Sequence, residues 1–99
     1  MTTALTLTTG QDPDGAPVLT ATGEIDMSNA ETFAAALAEA VRPAGPALLV
    51  DLTAVQYLDS AGLAALFHHA DRIEVVTGPL LAPLLAVSGL ADVTTVHTR

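Results

Sequence analysis

The sequence predicts an α/β fold: one domain over residues 1–99, with a mixed, mostly parallel β-sheet, helices packed against it, and the order β-β-α-β-α-β-α-β. Three observations predict it. Short apolar runs rich in Leu, Val and Thr alternate with longer segments whose apolar residues recur every three or four positions. Turn and stop signals (Asp12-Pro13-Asp14-Gly15, Gly45-Pro46 and Gly89) fall between these segments. The chain has 99 residues, 51% of them hydrophobic, enough for one core and no more. Strands that alternate with helices pair in parallel, because each helix carries the chain back to the starting edge. The first two strands, joined by a tight turn, form an antiparallel hairpin.

Residues 3–9 alternate Thr or Ala with Leu5 and Leu7, the period-2 pattern of a strand. The turn at Asp12-Pro13-Asp14-Gly15 leads to a second strand at residues 18–22, ended by Gly23. Ser28-Asn29-Ala30-Glu31 has the form of a capping box, in which the serine bonds a helical N–H and the glutamate reaches back. The helix that follows places Phe33, Leu37, Ala40 and Val41 on one face. Arg42 and Pro43 end it. Residues 47–52 form an apolar strand, of which 47–50 lack alternation and read as fully buried. A second helix runs from about Ser60 to about Ala70 with Leu63, Leu66, Phe67 and Ala70 on one face, followed by a strand at residues 73–77. A third helix covers residues 80–88, with Leu81, Leu84 and Leu85 inward. Pro83 belongs in its first turn, since further in it would kink the helix, and Gly89 stops it. Residues 93–96 form a last, weak strand.

Composition narrows the function classes. The net charge is −8, from eleven acids against Arg42, Arg72 and Arg99, with no lysine. Such a chain repels nucleic acid and an anionic membrane surface alike, so neither is expected as a direct partner. The acidity serves either solubility or the steering of a basic partner. The absence of cysteine excludes a disulfide framework and thiolate metal sites. The longest apolar region, residues 79–91, contains two prolines, a serine and a glycine, and is too short to span a bilayer. With no basic segment leading into an apolar stretch at the N-terminus, the expected location is cytoplasmic.

The most informative segment runs from Asp51 to Leu66. It leaves an apolar strand, crosses a short loop and enters a helix at Ser60, with Asp59-Ser60-Ala61-Gly62 at the junction. A serine there can cap the helix, and a phosphate on it would face the helix's positive end. A second segment, Gly23-Glu24-Ile25-Asp26, precedes the first helix. Together these segments resemble the signature of STAS domains, the family of bacterial anti-sigma factor antagonists. Ser88-Gly89-Leu90 is similar to that family's Thr-Gly-Leu, and the resemblance covers essentially the whole chain.

The resemblance implies that Ser60 is the site of regulatory phosphorylation and that Asp26 lies on the loop beside it. Asp26, Asp59, Ser60, Ala61, Gly62 and Leu63 then form the partner-binding set. The implied partner is an anti-sigma factor with serine kinase activity: the unmodified chain binds it and frees a sigma factor, phosphorylation by ATP releases the chain, and a serine phosphatase acting on phosphorylated Ser60 resets it. The chain itself would be no enzyme and would need no cofactor. An alternative within the family is an adaptor subunit of a lipid-transport complex. A third is a domain that binds a kinase and is never phosphorylated. The chain departs from the family pattern at residues 67–73, where His68-His69-Ala70-Asp71-Arg72 must serve as both helix end and turn.

Each residue also has a plainer reading. Serine is a preferred N-cap, worth ~1 kcal/mol, and Asp26 and Asp59 can be loop and capping residues. Ser28 has Glu31 to complete a capping box, whereas Ser60 has Leu63 at the equivalent place. Gly62 costs helix stability in the first turn, so either close approach by a kinase or packing on the preceding strand must require it. His68 and His69 point ~100° apart on a helix and do not converge on a metal with Asp71. Ser60 lacks the Gly-x-Ser-x-Gly elbow of a hydrolase, and the glycines show no phosphate-cradling spacing.

Overall fold

The computed structural model describes residues 4–99. Thr3, which opens the first expected strand, lies outside the described residues. The elements are β1 (Thr6–Gln11), β2 (Pro17–Ile25), α1 (Ala30–Ala40), β3 (Leu48–Leu58), α2 (Ser60–His68), β4 (Ile73–Thr77), α3 (Ala82–Ser88) and β5 (Thr95–Thr98). Their order is the expected one. The five strands lie in the sheet in sequence order, with β1 antiparallel to β2 and all other pairs parallel.

The β1–β2 turn closes on Asp12, whose Oδ1 accepts from the N–H groups of Asp14 and Ala16 at 2.9 Å each. Gly15 completes it with φ +86°, a conformation that costs glycine little. Because the strands follow one another across the sheet, right-handed crossovers carry every helix to the same side. That side of the sheet presents Leu19, Ala21, Ile25, Leu48, Val50, Leu52, Ile73 and Val75, which form one core with Phe33, Leu37, Leu66, Leu85 and Leu90 of the helical layer. The opposite face carries Thr20, Thr22, Asp51 and Glu74, which are half-buried or exposed.

This one-sided covering corrects the reading of residues 47–50 as fully buried. In β3, Leu48, Val50 and Leu52 are buried, while Leu49 and Asp51 between them are only half-buried. The strand also continues to Leu58, through residues expected to be a loop. Two register shifts against β2, between Thr20 and Thr22 and between Gly23 and Glu24, each insert an extra residue on the β3 side. Beyond Leu52 the buried positions are therefore Leu52, Val55 and Leu58, three apart, which obscures the period-2 signature of a strand. Gly23 sits at the second shift with φ +101° and continues β2 rather than ending it.

The helices differ from expectation at their ends. α2 buries Gly62, Ala65 and Leu66 and leaves Phe67 exposed, so the apolar face lies one position earlier than the spacing suggested. It stops at His68. A single 3-10 turn (Ala70–Arg72) then leads into β4, and Arg72 fastens it: its guanidinium donates to the Arg42 carbonyl at 2.9 Å and the Gly45 carbonyl at 3.1 Å. In α3, Leu81 and Leu85 face the core while Leu84 is outward. Pro83 falls in the first turn and Gly89 ends the helix at φ +87°. Val93 closes another 3-10 turn by donating to the Leu90 carbonyl, which starts β5 two residues later than expected.

Candidate functional site

β4 pairs with β3 only as far as Leu52, so the outer parts of β2 and β3 run on as a two-stranded extension. The site stands at its tip. Ile25 pairs with Leu58, and the next residue, Asp59, donates its N–H to the Ile25 carbonyl at 3.0 Å. Asp26 follows the one and Ser60 the other, so the two bulges and this bond set the two loops side by side.

Ser60 does not cap α2. The cap is Asp59, in extended conformation, whose carboxylate accepts from the Gly62 N–H at 3.0 Å. An aspartate one residue earlier satisfies the same orphan donor, so Ser60 becomes the first helical residue, exposed, with its hydroxyl outside the cap. The expected capping box of α1 is also not formed. The N-cap position is Asn29, and no side chain bonds forward into the helix. Ser28 turns back instead: its N–H donates to Asp26 Oδ1 at 2.9 Å and its hydroxyl donates to the same oxygen.

Those two bonds, the hydroxyl's first, hold the Asp26 carboxyl below the ordinary aspartate range by favouring its charged form. The sign follows from linkage: with the folded pKa depressed, the stabilisation is complete above the unfolded pKa and is lost as pH falls through the lower folded one. An NMR titration of the Asp26 carboxyl carbon should give a midpoint below that of an unstructured aspartate. Ser28→Ala should raise it; an unchanged midpoint in the variant would mean the hydroxyl bond is not made in solution.

Of the six residues expected to bind a partner, Asp26, Asp59, Ser60 and Ala61 are brought to the surface together, Asp26 and Asp59 half-buried and the other two exposed. Gly62 and Leu63 turn inward. Gly62 is buried, and a Cβ on it would lie 2.6 Å from both Ile25 Cγ2 and Leu58 Cδ1. Its smallness therefore serves the seating of α2 on β2 and β3. Leu63 packs against the core. Two residues that pattern reading missed flank the site: Met27, 85% exposed beside Asp26, and Tyr57, 49% exposed and paired with Glu24. A methionine inside an otherwise polar loop was the only signal for the first. Tyr57 gave none, because its exposure depends on the bulge. From Ala61 an open groove of about 310 Å³ runs between α1 and α2, lined also by Ala30, Ala34, Ala64 and Ala65.

The geometry defines a class: a small α/β domain, helices on one side, with an exposed serine opening the helix that follows a bulged central strand. The chain belongs to the STAS domain family, whose model described as Mlab, STAS domain, matches residues 9–96. It is 39% identical over 62 residues to the anti-sigma-F factor antagonist RsfB of Mycobacterium tuberculosis, a match covering 63% of this chain and about half (51%) of that relative. The crystal structure of an anti-sigma factor antagonist from Mycobacterium paratuberculosis is similar with a TM-score of 0.83 at 31% identity, over 95% of this chain and 86% of that one. A protein of SpoIIAA-like fold from Shewanella loihica shares the fold alone, with a TM-score of 0.62 at 15% identity, over 98% of this chain and 86% of that one. Among the described residues no helix is long and apolar enough to cross a membrane.

Proposed function

We propose that this chain is an anti-sigma factor antagonist. Unphosphorylated, it binds an anti-sigma factor with serine kinase activity and frees the sigma factor; phosphorylation of Ser60 switches it off, and a serine phosphatase restores it. The observation that carries this reading is the division of labour at the start of α2. Asp59 caps the helix, so the adjacent Ser60 is exposed and has no structural duty that a phosphate would disrupt. The relatives named as anti-sigma factor antagonists support the same reading. Asp26, Met27, Tyr57 and Ala61, on the strand ends and loops of the same tip, offer the mixture of charge and exposed apolar surface that a protein partner buries. In this reading the chain is a binding module and carries no catalysis of its own.

Intact mass of the protein purified from its host, wild type beside Ser60→Ala, tests the proposal when co-purifying proteins are identified with it. The expected result is a phosphorylated fraction absent from the alanine form, with an anti-sigma factor of kinase type retained on the wild-type chain. Absence of phosphate under all growth conditions, with a transporter subunit in place of that partner, would overturn it in favour of a transport adaptor.

A further inference from the structure

We propose that Asn29 is a positioning residue of the Ser60 site, holding the Asp26 loop in its binding conformation instead of capping α1. This rests on the functional reading above. Asn29 occupies the N-cap position, where an asparagine side chain normally accepts from an N–H two or three residues ahead. Here it makes no such bond. Its side chain reaches backwards: Oδ1 accepts from the Asp26 N–H at 2.9 Å, and Nδ2 donates to the Glu24 carbonyl at 2.8 Å. The Asp26 carbonyl in turn accepts from the N–H groups of Asn29 at 3.1 Å and Ala30 at 2.8 Å.

Asp26 is thus fixed through its N–H, its carbonyl and one carboxylate oxygen. Both Ser28 bonds to the carboxylate fall on Oδ1. Ser28 and Asn29 could each have capped α1, and both are turned onto the same aspartate. A local rule broken at two adjacent residues, toward one half-buried carboxylate at the surface, is the pattern of a site preorganised for a ligand. The amide of Asn29 suits this task because it combines an acceptor for Asp26 with a donor for Glu24. The Glu24 carbonyl belongs to β2, so the loop is anchored to the strand that also receives Asp59.

Asn29→Ser separates this role from capping. Serine is neutral and equally suited to the N-cap, but too short to span Glu24 and Asp26. The thermal midpoint should fall by no more than ~5 °C, because a serine cap offsets part of the two lost bonds. Hydrogen exchange of the Asp26 amide should accelerate at least about tenfold, with the Asp59 amide unaffected. Affinity for the anti-sigma factor recovered on the wild-type chain should fall by roughly tenfold, and adding Asp26→Ala should then cost less than it does alone. Wild-type affinity in Asn29→Ser, or an Asp26 amide unprotected in the wild type, overturns the proposal. A wild-type chain that binds no anti-sigma factor overturns the functional reading as well. That failure is recognisable because it appears before any substitution at Asn29.

Discussion

Ser60→Asp is expected to weaken binding to the anti-sigma factor by one to two orders of magnitude, and a phosphate at Ser60 by at least as much. A phosphoserine carries ~−1.5 to −2 charges at neutral pH. On a bare helix end it would gain ~0.3–1 kcal/mol from the helix dipole. Here Asp59 already holds that end, with its carboxylate on the Gly62 N–H, and Asp26 stands across the β2–β3 tip. In the complex the added charge and bulk meet the partner's surface while Asp26 and Asp59 already make this tip negative, and a loss of ~1.4 kcal/mol already corresponds to a factor of ten. Repulsion and bulk act at the surface, so the fold should persist, and amide shifts should move around Ser60 and Asp26 without spreading through the core.

The capping assignment gives this prediction a companion in stability. Ser60→Ala should change unfolding free energy by no more than ~0.5 kcal/mol, whereas Asp59→Ala should lose ~1 kcal/mol with the cap. Urea denaturation of the two variants distinguishes them. Equal losses would return the cap to Ser60, and undiminished affinity in Ser60→Asp would remove charge as the switch.

Gly62→Val is expected to destabilise the domain by ~3 kcal/mol or more, a large share of the ~5–15 kcal/mol typical of a native protein. The first added carbon would lie 2.6 Å from Ile25 Cγ2 and from Leu58 Cδ1. Leu58 can swing the end of its side chain away. Ile25 is fully buried and β-branched, with a restricted χ1, so it cannot yield in the same way. The start of α2 must then lift from the sheet, at a cost of ~1–3 kcal/mol for an overpacked core before the second and third methyl-sized groups are placed. Gly62→Ala should be milder, because alanine recovers up to ~1 kcal/mol of helix propensity. Gly10→Ala provides the control: a Cβ there meets nothing within 4 Å, and the change should stay within ~0.5 kcal/mol. Chemical denaturation checks the series; a Gly62→Val protein as stable as wild type would mean that α2 is not seated as closely as described. Lifting α2 also moves Ser60, so the folded fraction of Gly62→Val should be a poorer kinase substrate.

The sequence by itself determined the architecture. Periodicity, the Asp12-Pro13-Asp14-Gly15 turn and the stop at Gly89 yield all eight elements in order, and the segments around Asp26 and Ser60 single out the residues that stand together at the tip. These features are local, because a helix face, a tight turn or a left-handed glycine is set by residues within a few positions. What the tertiary structure alone decided is where those local options are spent. Ser28, Asn29, Asp59 and Ser60 are all competent caps, and only the meeting of the β2 and β3 ends makes Asp59 the cap and turns Ser28 and Asn29 toward Asp26. The bulges that lengthen β3 arise from pairing with β2, a contact between residues about thirty positions apart. Phe67 and Leu84 are left outside because only one face of each helix meets the sheet, and Tyr57 because the bulges in β3 turn it outward, which no single segment decides.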